Sequence, residues 1–155
     1  MKISDQFELH NPKEIIQNKQ NIWEEINQVL MLCSLSFGKD RPSQIKGILS
    51  NEFNRLGWAD RVLIRKQDNL TISYLKNRIG ICVQFGNVAR TYADVLKLTY
   101  LGNKNIIDAG IIIVPGNDES KLLGANYANF DRLSREMIIF SEILSYPILI
   151  LAIIN

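Results

Sequence analysis

The sequence predicts an α/β protein built on a mixed β-sheet of about five strands flanked by helices. Three observations carry this. Apolar residues recur at helical spacing across 12–57, short β-branched runs separated by turn residues occupy 61–85, and 87–154 returns to helix, strand, helix and strand in turn. Helices first, then a hairpin, then a strand–helix–strand unit bury their apolar faces together as layers around one sheet.

Each element has its own signal. Pro12 stands at an early helical position and opens a long periodic segment in which Ile15, Ile22, Ile26, Val29 and Cys33 share one face, ending near Gly38. A second helix begins at Pro42-Ser43, turns Ile45, Ile48, Leu49, Phe53 and Leu56 inward, and stops at Gly57. Residues 61–66 and 70–75, separated by a turn at Asp68-Asn69, read as a hairpin. Residues 78–85 (RIGICVQF) are nearly all apolar, as a strand covered on both faces should be. Residues 87–101 carry Val88, Tyr92, Val95 and Thr99 on one helical side, and the β-branched run 106–114 reads as a central strand. Residues 116–128 (GNDESKLLGANYA) read as a polar, glycine-punctuated loop. A helix follows from about Ala128 with Phe130, Leu133, Met137, Phe140 and Leu144 in register, and 148–154 closes the chain as a strand. With no repeat, low-complexity run or linker, the expectation is one domain over 1–155, helical across 12–57 with a sheet core over 61–155.

Composition is that of an ordinary globular protein: 155 residues, 46% apolar, 22% charged, net charge +2. So weak a total neither demands nor excludes a nucleic-acid partner, because a DNA-binding face needs local positive charge. The N-terminus lacks the apolar core of a signal peptide, and the apolar stretch 148–154 is far short of the roughly 20 residues that span a bilayer. A cytoplasmic protein without membrane contact is expected. Cys33 and Cys82 have no spacing suited to metal or redox work, and Cys33 reads as a small buried hydrophobe.

The segment 72–87 (ISYLKNRIGICVQFGN) is where chemistry concentrates. Alternation puts Cys82 and Gln84 on the same face of one strand, and if the preceding hairpin strand brings Ser73 alongside, the three side chains converge. In a hydrolytic phosphodiester site such a constellation holds a hard divalent cation that activates water and offsets charge on the phosphate. This stretch resembles the BglII/BstYI branch of the PD-(D/E)XK nuclease superfamily. The resemblance continues through RTYADVLK at 90–97, IDAGIIIVP at 107–115 and YPILI at 146–150. It implies a restriction-endonuclease-like fold and Mg²⁺-dependent type II cleavage of double-stranded DNA. It also implies a homodimer or a partner subunit. Carried over position by position, the family's metal-binding aspartate falls on Ser73 and its glutamate on Cys82, while the glutamine that replaces lysine in this branch is retained as Gln84.

Mg²⁺ prefers anionic oxygens in near-octahedral geometry, whereas a hydroxyl and a thiol supply little negative charge and a thiol favours softer metals. Two expectations therefore stand side by side: a type II endonuclease with a migrated carboxylate, or an inactive DNA-binding or partner subunit of a restriction-modification or defence system. Asp68, and further off Asp60, are the acids available for such a rescue, although Asp68 sits in a Gln-Asp-Asn sequence typical of turns. For DNA contact the resemblance points to Asn87, Arg90 and Lys97, with Lys76 and Arg78 in the hairpin connection. Lys121, Asn126 and Tyr127 are placed for readout from the 116–128 loop. Arg90, Asp94 and Lys97 share one helical face, which as a plain solvated stripe would carry an Arg90–Asp94 pair. Glu24, Glu25 and Glu52 are helical acids, either approaching the site or simply solvated.

Overall fold

A six-stranded mixed sheet organises the computed structural model, which describes residues 1–155. The chain runs β1 (Lys2–Leu9), α1 (Pro12–Gln17), α2 (Ile22–Leu32), α3 (Pro42–Arg55), β2 (Ala59–Arg65) and β3 (Leu70–Lys76). It continues β4 (Ile79–Val83), α4 (Ala89–Asn103), β5 (Ala109–Pro115), α5 (Asn117–Leu123), α6 (Phe130–Phe140) and β6 (Ile148–Ile154). The strand order is β1-β6-β5-β4-β3-β2. β4, β5 and β6 are parallel, linked by crossovers through α4 and through α5 and α6. β1 and the β2–β3 hairpin add antiparallel strands at the two edges.

The β-branched strands dictate the layering. Every residue of β5 is buried, because Ile111 and Ile113 face α1, α2 and α3 while Ile112 and Val114 face α4 and α6. Period-2 alternation in β4 and β6 does the same, so two apolar cores sandwich the sheet. Helix α4 lies close against β4 and β5 because Gly110 has no side chain: a Cβ there would come within 2.9 Å of Leu98.

Four readings of the sequence need correction. The sheet has six strands rather than about five, since Lys2–Leu9 pairs with β6 as an edge strand. Its residues are mostly exposed and polar, as edge strands often are, which hides the alternation. The long first helix is two helices, broken at residues 18–21 where Asn21 takes φ 62, a left-handed conformation asparagine tolerates. That break buries Ile16 in α1 and leaves Ile15 half-exposed. Finally, part of the 116–128 segment is the short helix α5.

Candidate functional site

The site begins where the ladder between β3 and β4 ends. These strands pair from Lys76↔Ile79 to Tyr74↔Ile81 around a tight turn at Asn77 and Arg78, both at positive φ. Beyond Ile81 the strands part. Ile72 packs in the core beneath α4, whereas Tyr74 stacks on Phe53 in the core beneath α2 and α3, although strict alternation would put both on one face. The strand therefore turns over at Ser73. Opposite Ser73 in the β2 register stands Arg61, which holds φ 47 inside a strand. The Ser73 hydroxyl accepts the Val83 N–H at 2.9 Å, replacing the ladder partner that the departing strand withdraws.

The opening is a cavity of about 750 Å³ walled by two helices. From α3 come Ser43, Lys46, Gly47 and Ser50, the polar stripe opposite the buried Ile45, Leu49 and Phe53. From α4 come Arg90, Ala93, Asp94 and Lys97 at the same helical spacing. The sheet contributes Ser73, Cys82 and Gln84, with Asp60 and Arg61 at the rim. The cavity thus lies beyond the carboxyl end of β4, the customary ligand position in open α/β sheets.

Electrostatics are set by one buried acid. Asp94 is 4% exposed and accepts from the Gln84 Nε2 at 2.8 Å and from the Lys97 Nζ at 2.8 Å. Gln84 Oε1 in turn accepts the Gly86 N–H at 3.1 Å, so both ends of that amide are engaged. Burial pushes the Cys82 thiol well above its ordinary pKa, and the neighbouring Asp94 carboxylate pushes it the same way. Cys82 is therefore a protonated thiol at neutral pH. Lys46 is half-buried with its ammonium 5.7 Å from the centre of the Phe85 ring. Its pKa is lowered by desolvation, against the pull of Asp94, and Arg90 and Lys97 lower it further.

The structure brings together Ser73, Cys82, Gln84, Arg90 and Lys97, and Asp60 joins them. Asp68 stays outside the cavity, exposed and paired with Arg65 at 3.2 Å. Lys76 is committed elsewhere, bonded to Glu25 at 2.7 and 2.9 Å and to the Leu56 carbonyl at 2.6 Å. Arg78 is held by Asp108 at 2.7 Å, and Lys121 by Asp118 at 2.7 Å. Asn87 spends its carboxamide oxygen on the Ala89 N–H, and Arg90 N bonds the Asn87 carbonyl, so the first amides of α4 are already satisfied. Asn126 is exposed, and its carbonyl and the bridge from Tyr127 to Asn87 tie the 124–129 segment to the start of α4. Glu24 is exposed, Glu25 bonds Trp58 and Lys76, and Glu52 pairs with Arg55; none lines the cavity.

Two features escaped the sequence reading. Asp94 is a buried acid bonded to Lys97 and Gln84, not one of a solvated stripe paired with Arg90. Lys46 was hidden on a helix read for its apolar face and for the acid Glu52. The spacing of Ser43, Lys46, Gly47 and Ser50 opposite the apolar stripe is the signal that marks this second face.

The model of the restriction endonuclease BglII/BglIII family matches residues 4–153. The chain belongs to that family. Two solved structures superpose on its whole length: restriction endonuclease BglII complexed with a DNA 16-mer, with a TM-score of 0.83, 17% identity and 77% of that chain covered, and free BglII, with a TM-score of 0.75, 20% identity and 80% covered. At such identities the likeness is one of fold. Among curated protein sequences none matches.

Ser73, Cys82 and Gln84, where the sequence resemblance leads one to expect a metal site, do not fit a hard divalent cation. Ser73 is neutral and already accepts a backbone N–H, Cys82 is a protonated thiol, and the Gln84 amide is bonded at both ends. No three His, Cys, Asp or Glu side chains converge anywhere in the chain. Asp94, the one buried carboxylate of the cavity, is neutralised by Lys97.

Proposed function

We propose that this chain is a duplex-DNA-binding member of the BglII family that does not carry out the family's Mg²⁺-dependent cleavage. The observation that carries the reading is the donor set on the cavity floor, a hydroxyl, a thiol and a carboxamide on a fold shared with a DNA-bound restriction endonuclease. Cleavage by the metal route needs anionic ligands that hold the cation and lower the pKa of its water. Ser73 and Cys82 supply neither. Arg90 and Lys46 in the cavity lining supply positive charge suited to the DNA backbone. The whole span 1–155 acts as one unit in this reading, in the cytoplasm, as a homodimer or beside a cutting partner subunit of a restriction system.

Two measurements on the same protein test it. Fluorescence anisotropy with a short labelled duplex in EDTA is expected to show salt-sensitive binding. Plasmid DNA incubated with Mg²⁺ or Mn²⁺ is expected to remain supercoiled. Linear plasmid that depends on the metal and disappears with Gln84→Ala establishes an active nuclease and overturns the reading.

A further inference from the structure

The cavity carries more positive charge than its own acids can absorb. Four cations line it, Lys46, Arg61, Arg90 and Lys97, against two acids, Asp60 and Asp94. Asp94 is taken by Lys97, and Asp60 accepts the Ser50 hydroxyl at 2.6 Å. Lys46, Arg61 and Arg90 make no ion pair within the chain. These three project from three different elements, α3, β2 and α4, toward one space.

Two details argue against an ordinary solvated surface. Lys46 is half-buried over Phe85, so its charge is held where water screens it poorly. Arg61 keeps a left-handed backbone inside a strand, a conformation that persists only where surrounding structure imposes it. At about 750 Å³ the cavity matches the roughly 300–1,000 Å³ range of small-ligand pockets, and its lining is mainly polar. An anion entering it would relieve the mutual repulsion of Lys46, Arg90 and Lys97.

We propose that this cavity is a metal-independent phosphate site, in which Lys46, Arg61 and Arg90 hold a phosphodiester of duplex DNA by direct charge-assisted contacts. The position where relatives place acids around a cation has thereby become a cationic cradle for the anion itself. The assignment of the phosphate to DNA rests on the DNA-binding reading above. The pocket's preference for phosphate does not.

The test compares the wild-type chain, Lys46→Met, Arg90→Gln, the double variant and a control, Lys104→Gln, which lies at the far end of α4. Met keeps the apolar stem of Lys46 against Phe85, and neither cation holds an internal ion pair, so all variants are expected to keep the wild-type melting temperature. Duplex affinity is measured by anisotropy in EDTA across a NaCl series. Each lost contact is expected to lower the slope of log K against log salt by about 0.9, so that the double variant loses about 2 and the control nothing. A folded double variant with the full wild-type slope overturns the assignment of the bound phosphate to DNA while leaving DNA binding intact. A second arm titrates inorganic phosphate and follows the backbone amide resonances of Gln84 and Gly86. Saturable shifts in the wild type that vanish in Lys46→Met support the site, even if duplex binding fails and the DNA reading falls with it. Absence of both phosphate shifts and a slope change overturns it.

Discussion

Two ionic clusters flank the β3–β4 hairpin, and they are built on opposite terms. On one side Glu25 meets Lys76, and Trp58 donates its indole N–H to the same carboxylate at 2.7 Å, while Lys76 also donates to the Leu56 carbonyl. One acid faces one base, and the donors are matched. On the other side Asp94 serves Lys97 and Gln84, yet Lys46, Arg61 and Arg90 are left over. A balanced cluster is satisfied by the chain itself. One with surplus cations is completed from outside. The contrast separates a fastening between α2, α3 and the hairpin from a site.

Breaking the fastening gives the largest effect. Glu25→Ala leaves Lys76 and the Trp58 indole without their partner, and an unfolding cost of about 3 kcal/mol is expected, the low end for a buried pair because both side chains still touch solvent. Duplex affinity is expected to stay unchanged; a large loss of binding in a folded Glu25→Ala protein would dissolve the distinction between the clusters. Asp94→Asn comes next. It removes a charged partner from Lys97 and costs about 2 kcal/mol by urea unfolding, while it raises the cavity's charge surplus and should tighten duplex binding and steepen its salt slope. Stability and affinity move in opposite directions. A parallel fall in both would show that Asp94 positions Lys97 for DNA rather than offsetting the cavity's charge.

Ser73→Ala is expected to cost about 1–2 kcal/mol, because it strands the Val83 N–H in a buried strand. Ser73→Asp keeps an acceptor there and should restore most of that loss. If Ser73→Ala is neutral, the hydroxyl does not hold the parting strands. The smallest change runs the other way. Arg61→Gly relieves a left-handed backbone and should leave stability unchanged or raise it by up to about 1 kcal/mol, while weakening duplex binding. Measured destabilisation would show that the arginine side chain holds β2 in place.

What the sequence made legible follows from where its signals are local. The β-branched runs of β4, β5 and β6 and the helix α4 between them are specified by contiguous apolar patterns, and they lie where the patterns put them. The edge strand β1 was illegible because it owes its pairing to β6 more than to its own mostly polar residues. The break before α2 rests on a single left-handed asparagine inside an otherwise periodic run. In the cavity, alternation puts Cys82 and Gln84 on one face, and the resemblance to the nuclease family puts Ser73 beside them. Lys46 could not be placed there, because its approach depends on how α3 packs across the sheet, and Asp94 reads as one more polar residue until Gln84 and Lys97 are seen to close over it.

The central claim is that the cavity lined by Ser73, Cys82 and Gln84 does not hold a divalent metal. Its most direct test is Mn²⁺ binding, followed by calorimetry and by paramagnetic broadening of the Gln84 and Cys82 amide resonances, in the wild type and in the Ser73→Asp, Cys82→Glu double variant. No saturable binding at this cavity is expected in the wild type, and a gain of binding in the double variant, where two carboxylates return. Stoichiometric Mn²⁺ bound by the wild type and broadening those two amides would contradict the account.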